Sequence, residues 1–117
     1  MKIAKLISFL LIGILILSSC KKEEDETGKV HVIARVLNIG KVAGIKVSLN
    51  RTSNNEKIET QNTDADGEVT FTNIAPDTYF LTASYDDGTD TYSGNTIDFE
   101  VKNNETTEEQ IVLIKNN

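Results

Sequence analysis

The residues that could carry out chemistry are few in this sequence and lie far apart. Cys20 is the only cysteine and His31 is the only histidine. A nucleophilic enzyme needs a serine or cysteine beside a base that activates it, and a zinc site needs several thiolate or imidazole ligands. Because neither set can be assembled from these residues, we expect a protein that is not an enzyme and that holds no metal or other cofactor.

Two acidic segments offer the alternative of a calcium site. They are residues 64–68 and residues 86–90, and calcium is bound by about six to eight oxygen ligands. However, neither segment completes a calcium-binding loop, and the pair Asp66-Gly67 is also typical of a tight turn between strands. We therefore consider calcium only in one alternative function, in which the protein is a carbohydrate-binding module that the ion stabilises.

Aromatic side chains could form a platform for sugars, and the chain has three tyrosines and no tryptophan. Tyr79 and Tyr85 alternate in step with Leu81, so we expect both rings to pack in a core. Tyr92 follows Asp90 in a polar segment, where we predict a loop. Tyr92 is therefore the one residue that we single out as a candidate ligand contact.

The N-terminal segment has the organisation of an export signal. Residues 1–5 are positively charged, and residues 6–17 form an almost unbroken apolar run. A membrane-spanning helix needs about 20 apolar residues, so this run is too short for a permanent span. The charged start and the apolar run instead predict a helical signal peptide that is cleaved.

The signal ends in the sequence Leu-Ser-Ser-Cys at residues 17–20, which resembles the lipobox of bacterial lipoproteins. The resemblance implies that residues 1–19 are removed and that Cys20 becomes the N-terminus, with acyl chains such as palmitate attached through a diacylglycerol group. Two or more acyl chains hold a protein stably in a bilayer, whereas one chain holds it only marginally. Cys20 is thus predicted to anchor the protein to the outer membrane.

Residues 20–28 are predicted to be a charged tether, because the stretch after Cys20 contains two lysines, four acidic residues and no apolar side chain. This order of charges resembles the surface-export signal of Bacteroidetes lipoproteins. The resemblance implies an origin in that group and a position on the outer face of the outer membrane. A plain spacer that lifts the domain off the lipid headgroups is the simpler interpretation of the same run.

The charge balance argues against nucleic acid as a partner. The chain has 12 basic and 18 acidic residues, and its formal net charge of −6 becomes more negative once the lysines of the signal peptide are removed. Proteins that bind nucleic acid concentrate Lys and Arg on one face, where these side chains neutralise phosphates. We therefore expect the partners to be the membrane, reached through Cys20, and an unidentified protein or glycan.

Residues 29–117 have the pattern of a single all-β domain. Apolar and polar residues alternate in about seven short segments with turn residues between them, which predicts an antiparallel, immunoglobulin-like sandwich. Residues 57–63 contain only one apolar residue and predict an exposed edge strand, and residues 107–115 are expected to close the fold. The inward side chains are expected to be Val30, Val32, Ala34, Val36, Ile45, Val47, Leu49, Val69, Phe71, Tyr79, Leu81, Ala83, Tyr85, Ile97, Phe99 and Val101.

Two segments resemble carboxypeptidase regulatory-like domains. Residues 38–49 include the sequence Gly-Ile-Lys-Val-Ser-Leu, and residues 63–83 include Thr-Asp-Ala-Asp-Gly and, later, Pro-Asp-Thr-Tyr. The resemblance implies a prealbumin-like sandwich, a fold shared with collagen-adhesin B-type repeats. Those repeats suggest a lysine–asparagine cross-link, which here would join Lys29 to Asn116 or Asn117. We do not expect it, because these residues lie at the ends of the domain, where burial is poor.

These observations predict a lipid-anchored surface lipoprotein that acts as a non-enzymatic binding or scaffolding module. Two alternatives stay open. One is a carbohydrate-binding module that calcium stabilises, and the other is an accessory subunit of an outer-membrane complex. The resemblance supports the architecture more than any activity, because sandwiches of this kind serve many tasks.

Overall fold

The computed structural model describes residues 26–117, which form eight β-strands and no helix. This part of the chain therefore has no helix that could cross a bilayer. The strands are β1 (Gly28–Val36), β2 (Lys46–Arg51), β3 (Lys57–Asn62), β4 (Glu68–Ile74), β5 (Asp77–Asp86), β6 (Thr91–Asn95), β7 (Phe99–Val101) and β8 (Thr106–Lys115). The predicted signal peptide, Cys20 and most of the predicted tether lie outside the described residues.

The structure has one strand more than the predicted seven. The prediction missed β6, whose sequence Thr-Tyr-Ser-Gly-Asn carries one large apolar side chain, that of Tyr92. Because glycine occupies the next inward position, β6 lacks the alternation that indicates a half-buried strand. The prediction for Ile97 was also wrong, since this side chain is 86% exposed between β6 and β7.

The strands follow one hydrogen-bonded order, β3-β2-β5-β6-β8-β1-β4, and β7 pairs with β5 beyond the end of β6. This path folds into two facing layers, so the sandwich is close to a barrel. The smaller sheet contains β4, β1 and β8, and the larger sheet contains β3, β2, β5, β6 and β7. The all-β sandwich is confirmed, but its pairing is not wholly antiparallel, because β1 and β8 are parallel.

The core lies between the two layers and is built from alternate residues of the strands. On β1, Val30, Val32, Ala34 and Val36 are all fully buried, as their alternation predicts. The burial of one large apolar side chain stabilises a fold by about 1.5–3 kcal/mol. The other large side chains that are fully buried are Ile45, Val47, Leu49, Phe71, Tyr79, Leu81, Val101, Ile111 and Leu113.

The turn between β3 and β4 has the conformation that its sequence predicts. Gly67 has a φ of 74°, which glycine adopts at no steric cost. Its carbonyl oxygen accepts a hydrogen bond of 2.7 Å from the backbone nitrogen of Ala34. The Asp64 carboxylate closes the turn by accepting hydrogen bonds from the backbone nitrogens of Asp66 and Glu68.

The two outermost strands of the path, β3 and β4, meet on one side of the sandwich. β3 confirms the prediction of an exposed edge. The Gln61 amide on β3 donates hydrogen bonds to the Thr70 carbonyl oxygen on β4, at 3.0 Å, and to the Glu59 carboxylate, at 2.9 Å. A side chain thus bridges the gap between the sheets and hinders the pairing of a further strand at this edge.

The larger and smaller sheets join where β6 meets β8. Two residue pairs link these strands, Tyr92 with Lys115 and Ser93 with Ile114. Next to them, a Cβ on Gly94 would lie 2.4 Å from the carbonyl oxygen of Val112. The close approach of the two backbones therefore requires glycine at this position.

β8 carries a charged side chain on its inward side. Glu109 is in register with the fully buried Val32 of β1. Its side chain is partly buried, and this burial raises the pKa of its carboxyl group. β6 pairs with β8 only at Ile114 and Lys115, so, within residues 26–117, Glu109 lies on a part of β8 that has no paired strand on this side and is therefore an edge. An inward charge on such an edge discourages unwanted strand pairing.

Replacing Gly94 with alanine should destabilise the junction of the two sheets. The new Cβ forces the backbones of β6 and β8 apart, and we expect the free energy of unfolding to fall by about 1–3 kcal/mol. Chemical denaturation measures this change. Asn95→Ala, on the exposed next position of β6, is the matched control and should change stability by less than about 0.5 kcal/mol. Equal losses for the two variants would contradict the assigned contact.

Replacing Glu109 with glutamine should stabilise the protein at neutral pH. The folded state holds the pKa of this carboxyl above its unfolded value, so its favourable contribution is present at low pH and is lost as the pH rises through the folded pKa. We expect the variant to have a higher melting temperature at pH 7 and an unchanged one below about pH 4, where the carboxyl is protonated. The matched control is Glu100→Gln, on an exposed position of β7, which should change stability at pH 7 by less than about 0.5 kcal/mol.

Candidate functional site

His31 lies on the outward side of β1, between carboxylates of the two neighbouring strands. Its Nε2 atom is 3.2 Å from Oε1 of Glu68 on β4, and its Nδ1 atom is 3.6 Å from Oε2 of Glu108 on β8. His31 is thus a hydrogen-bonded side chain on the outward side of a strand. These contacts cross-link the three strands of the smaller sheet.

The second acidic segment uses its carboxylates to close the loop between β5 and β6. Oδ1 of Asp87 accepts hydrogen bonds from the backbone nitrogens of Asp90 and Thr89, at 2.7 and 2.8 Å. These bonds hold the pKa of the Asp87 carboxyl below its usual value. Oδ1 of Asp86 accepts a similar bond from Gly88. Within residues 26–117, no three His, Cys, Asp or Glu side chains come close enough to hold a metal ion together.

Tyr92 lies in β6 and not in the predicted loop. Its side chain is 8% exposed, and its ring centroid is 6.0 Å from that of Tyr85. Its hydroxyl donates a hydrogen bond of 3.1 Å to Oδ2 of Asp87, and burial together with this bond raises the pKa of the phenol. The polar neighbours that suggested a loop alternate to the outward side of β6. A ligand contact at Tyr92 stays a prediction, with little of the ring open to solvent.

The residues of the hypothetical cross-link lie at opposite ends of the sandwich. Lys29 is paired with Thr106 at the start of β8. Asn116 follows the end of β8, where its backbone nitrogen donates to the carbonyl oxygen of Thr91. The length of β8, about 30 Å at 3.3 Å per residue, separates the two positions.

The larger sheet has an outward face covered by small polar side chains. Strand register places them in rows that run across β3, β2, β5 and β6. We call this surface the polar face. Its two central rows are Asn62, Lys46, Ser84 and Ser93, and Thr60, Ser48, Thr82 and Asn95.

Hydrogen bonds fix the second of these rows. The hydroxyl oxygens of Ser48 and Thr60 are 2.9 Å apart. The Asn50 amide donates to Oγ1 of Thr82 at 3.2 Å and to the Ser48 carbonyl oxygen at 3.3 Å. Ser48 and Asn50 are only 5% and 6% exposed although they point outward. The centre of the polar face is therefore a preorganised surface.

Two adjoining hollows lie on the polar face, and both are lined by Lys46 and Ser84. The larger has a volume of about 430 Å³ and reaches the rim of the sandwich at Tyr85 and Asp86. The smaller, of about 170 Å³, extends over the centre of the sheet to Lys57. Small side chains such as serine and threonine leave this space open, whereas longer side chains would fill it.

The charge of the polar face differs from that of the chain as a whole. The chain is acidic, with a formal net charge of −6, yet Lys46 and Lys57 line one hollow without a carboxylate among its lining residues. Within the described residues, no ion pair involves either lysine. The inward positions predicted for Val47 and Leu49 imply that Lys46 and Ser48 point outward, but local alternation gives no signal that they share a surface with residues of β3 and β5.

Solved structures share the architecture at low sequence identity, whereas no curated protein matches the chain. The minor pilin GBS52 of Streptococcus agalactiae aligns with a TM-score of 0.61 and 13% identity, over 79% of this chain and 46% of the pilin. A DUF4876 family protein from Bacteroides thetaiotaomicron aligns with a TM-score of 0.51 and 17% identity, over 75% of this chain and 23% of that protein. The chain thus spans less than half of either protein, and the likeness is one of fold.

The family comparison covers nearly all of the described residues. The second β-sandwich domain of NOMO1-like subunits of the BOS complex matches residues 27–115. This range begins one residue before β1 and ends with the last residue of β8. The match supports the prealbumin-like sandwich that the sequence predicts. The chain belongs to the family of NOMO1-like second β-sandwich domains.

Proposed function

We propose that this protein is a lipoprotein anchored to the outer membrane through Cys20, exposed on the cell surface, and that it is a non-enzymatic module that binds or scaffolds a protein partner. The observation that carries the binding role is a group of exposed apolar side chains at one end of the smaller sheet. Such groups on soluble surfaces mark sites of interaction. We call this group the apolar patch.

The apolar patch contains four of the five large apolar side chains that are exposed in residues 26–117. They are Leu37 (45% exposed), Ile39 (47%), Val112 (39%) and Ile114 (56%). Val112 and Ile114 share the outward side of β8. Leu37 directly follows β1, and its backbone nitrogen donates to the carbonyl oxygen of Leu113. The end of the β1–β8 pair therefore presents apolar side chains to solvent.

The position of the patch suits a tethered module. β1 begins at Gly28, next to the proposed tether, and ends at Val36, next to the patch. Nine extended residues span about 30 Å. An anchor on Cys20 would therefore hold one end of the sandwich near the membrane and direct the apolar patch away from it.

The comparisons give this proposal indirect support. One similar structure is that of a minor pilin, and the family is named after a subunit of a complex. Both names describe parts of larger assemblies, and we propose such a role for this chain. The accessory-subunit alternative is a special case of the same role, with the catalyst on another chain.

Replacing Cys20 with serine tests the anchor. Serine lacks the thiol that is alkylated, so we expect the variant to lose incorporation of labelled palmitate and to leave the membrane fraction. Ser19→Ala keeps a small residue before the cysteine and should stay lipidated. On intact cells, added protease should digest the wild-type protein. Membrane association of the Cys20 variant equal to that of wild type would contradict the anchor, and full protection from protease would contradict surface exposure.

Replacing Ile114 with lysine tests the apolar patch. A charge at the centre of an apolar interface costs several kcal/mol when it is buried without a partner, so a complex that uses the patch should dissociate. Native gel electrophoresis of detergent-solubilised membranes measures this. We expect wild type to migrate as a larger complex and the variant as a single chain.

The matched control for this experiment is Ile97→Lys. Ile97 is exposed to 86% and lies in the connection between β6 and β7, not on β8 or in the segment that follows β1. It should retain the complex. Equal dissociation of the complex in both variants would contradict the apolar patch as the binding site, because the added charge would then act at any position. Migration of the wild type as a single chain would contradict a stable protein partner.

A further inference from the structure

We propose that the polar face of the larger sheet is a binding site for an acidic polysaccharide, with Lys46 and Lys57 contacting its anionic groups. The site goes beyond the proposed function, and it lies on the other sheet from the apolar patch. It does not depend on lipidation of Cys20 or on a protein partner. The two lysines, the hollows that they line and the fixed row of hydroxyl groups carry the proposal.

The shape of the site favours an extended ligand. The two hollows share Lys46 and Ser84, so together they form one shallow groove that crosses β3, β2 and β5. The larger hollow, of about 430 Å³, is in the range of sites for small organic ligands. The groove is open at the rim of the sandwich, where a chain could enter and leave.

The spacing of the two lysines suits an extended anionic chain. Lys46 begins β2, and Lys57 is in register with Asn50, four residues further along the same strand. At about 3.3 Å per residue, the two positions are about 13 Å apart along the strand. Backbone positions at this separation allow the two ammonium groups to contact successive acidic sugars of one chain.

The side chains between the lysines have the chemistry that sugars require. Ser48, Thr82 and Ser84 line the smaller hollow. Thr82 and Ser84 are more exposed than Ser48, and a hydroxyl can donate one hydrogen bond and accept others. The bond from Asn50 to Thr82 holds this row in place before any ligand binds. A rigid, preorganised surface loses less entropy on binding than a mobile one.

Electrostatics favours the polar face over the other surfaces of this molecule as the place where a polyanion binds. Most surfaces of an acidic chain repel a polyanion, because its formal net charge is −6. The smaller hollow is an exception, since its lining contains two lysines and no carboxylate. At the rim of the larger hollow lies Asp86, whose Oδ1 atom accepts a hydrogen bond from the Gly88 backbone. A polyanion is therefore directed to the centre of the sheet.

Affinity electrophoresis of the full-length protein in detergent tests the site. Native gels would contain polygalacturonate, which carries carboxylates, heparin, which carries sulfates, or neutral dextran. We expect polygalacturonate or heparin to retard the wild-type protein and dextran to leave it unchanged. The double variant Lys46→Ala, Lys57→Ala loses two surface ion pairs with the polysaccharide. We expect its affinity to fall by a factor of up to about ten.

The matched control is the double variant Lys41→Ala, Lys102→Ala, which removes the same charge from two other exposed lysines. It should bind as wild type does. Stronger retardation by polygalacturonate would identify uronate as the anionic group, and stronger retardation by heparin would identify sulfate. Equal loss in the two double variants, retardation by dextran, or no retardation of wild type at low salt would overturn the site. If inorganic phosphate at the same concentration of charge abolished the retardation, the site would bind single anions, and the proposal of a polymeric ligand would be wrong.

Discussion

The pairing of the first strand with the last is the interaction on which the rest of the structure depends. β1 and β8 are parallel over eight residue pairs, from Lys29 with Thr106 to Val36 with Leu113. A parallel pair cannot be closed by a short turn and needs a long crossover. Here the crossover contains six strands, from β2 to β7, five of them in the larger sheet. The larger sheet is thus the connection that the β1–β8 pair requires, and the core forms where it folds back over β1.

This arrangement gives the molecule two outward faces with different chemistry. The smaller sheet has His31 between two carboxylates at its centre and ends in the apolar patch. The larger sheet carries short hydroxyl and amide side chains and two lysines. The inward residues of both sheets are committed to the core, so the outward residues are free to differ. A sandwich of this size can therefore present an apolar patch and a polar groove without a cost to its core.

Local sequence patterns predicted the strands that have one well-filled inward side. β1, β2 and β5 each carry apolar residues at successive inward positions, since a strand with one buried side has a period of two. The Asp-Gly pair at Gly67 predicted its turn. The sequence pattern did not predict β6, because Gly94 stands at an inward position of this strand. A larger residue does not fit there, since the carbonyl oxygen of Val112 comes too close for a Cβ. The parallel register of β1 and β8 was also missed, because local alternation does not specify the partner or the direction of a strand.

The same reason explains why the polar face could not be found in the sequence. Its hydrogen bonds join residues that are distant along the chain, such as Ser48 with Thr60 and Asn50 with Thr82. In a single strand, each of these residues indicates no more than a solvent-facing position. Tyr92 shows the converse error, since its polar neighbours suggested exposure although the ring lies in the fold. The polar face differs from an ordinary outward face in its positive charge. Lys46 and Lys57 lie on different strands, and only the pairing of β2 with β3 brings them to one hollow of an otherwise acidic chain.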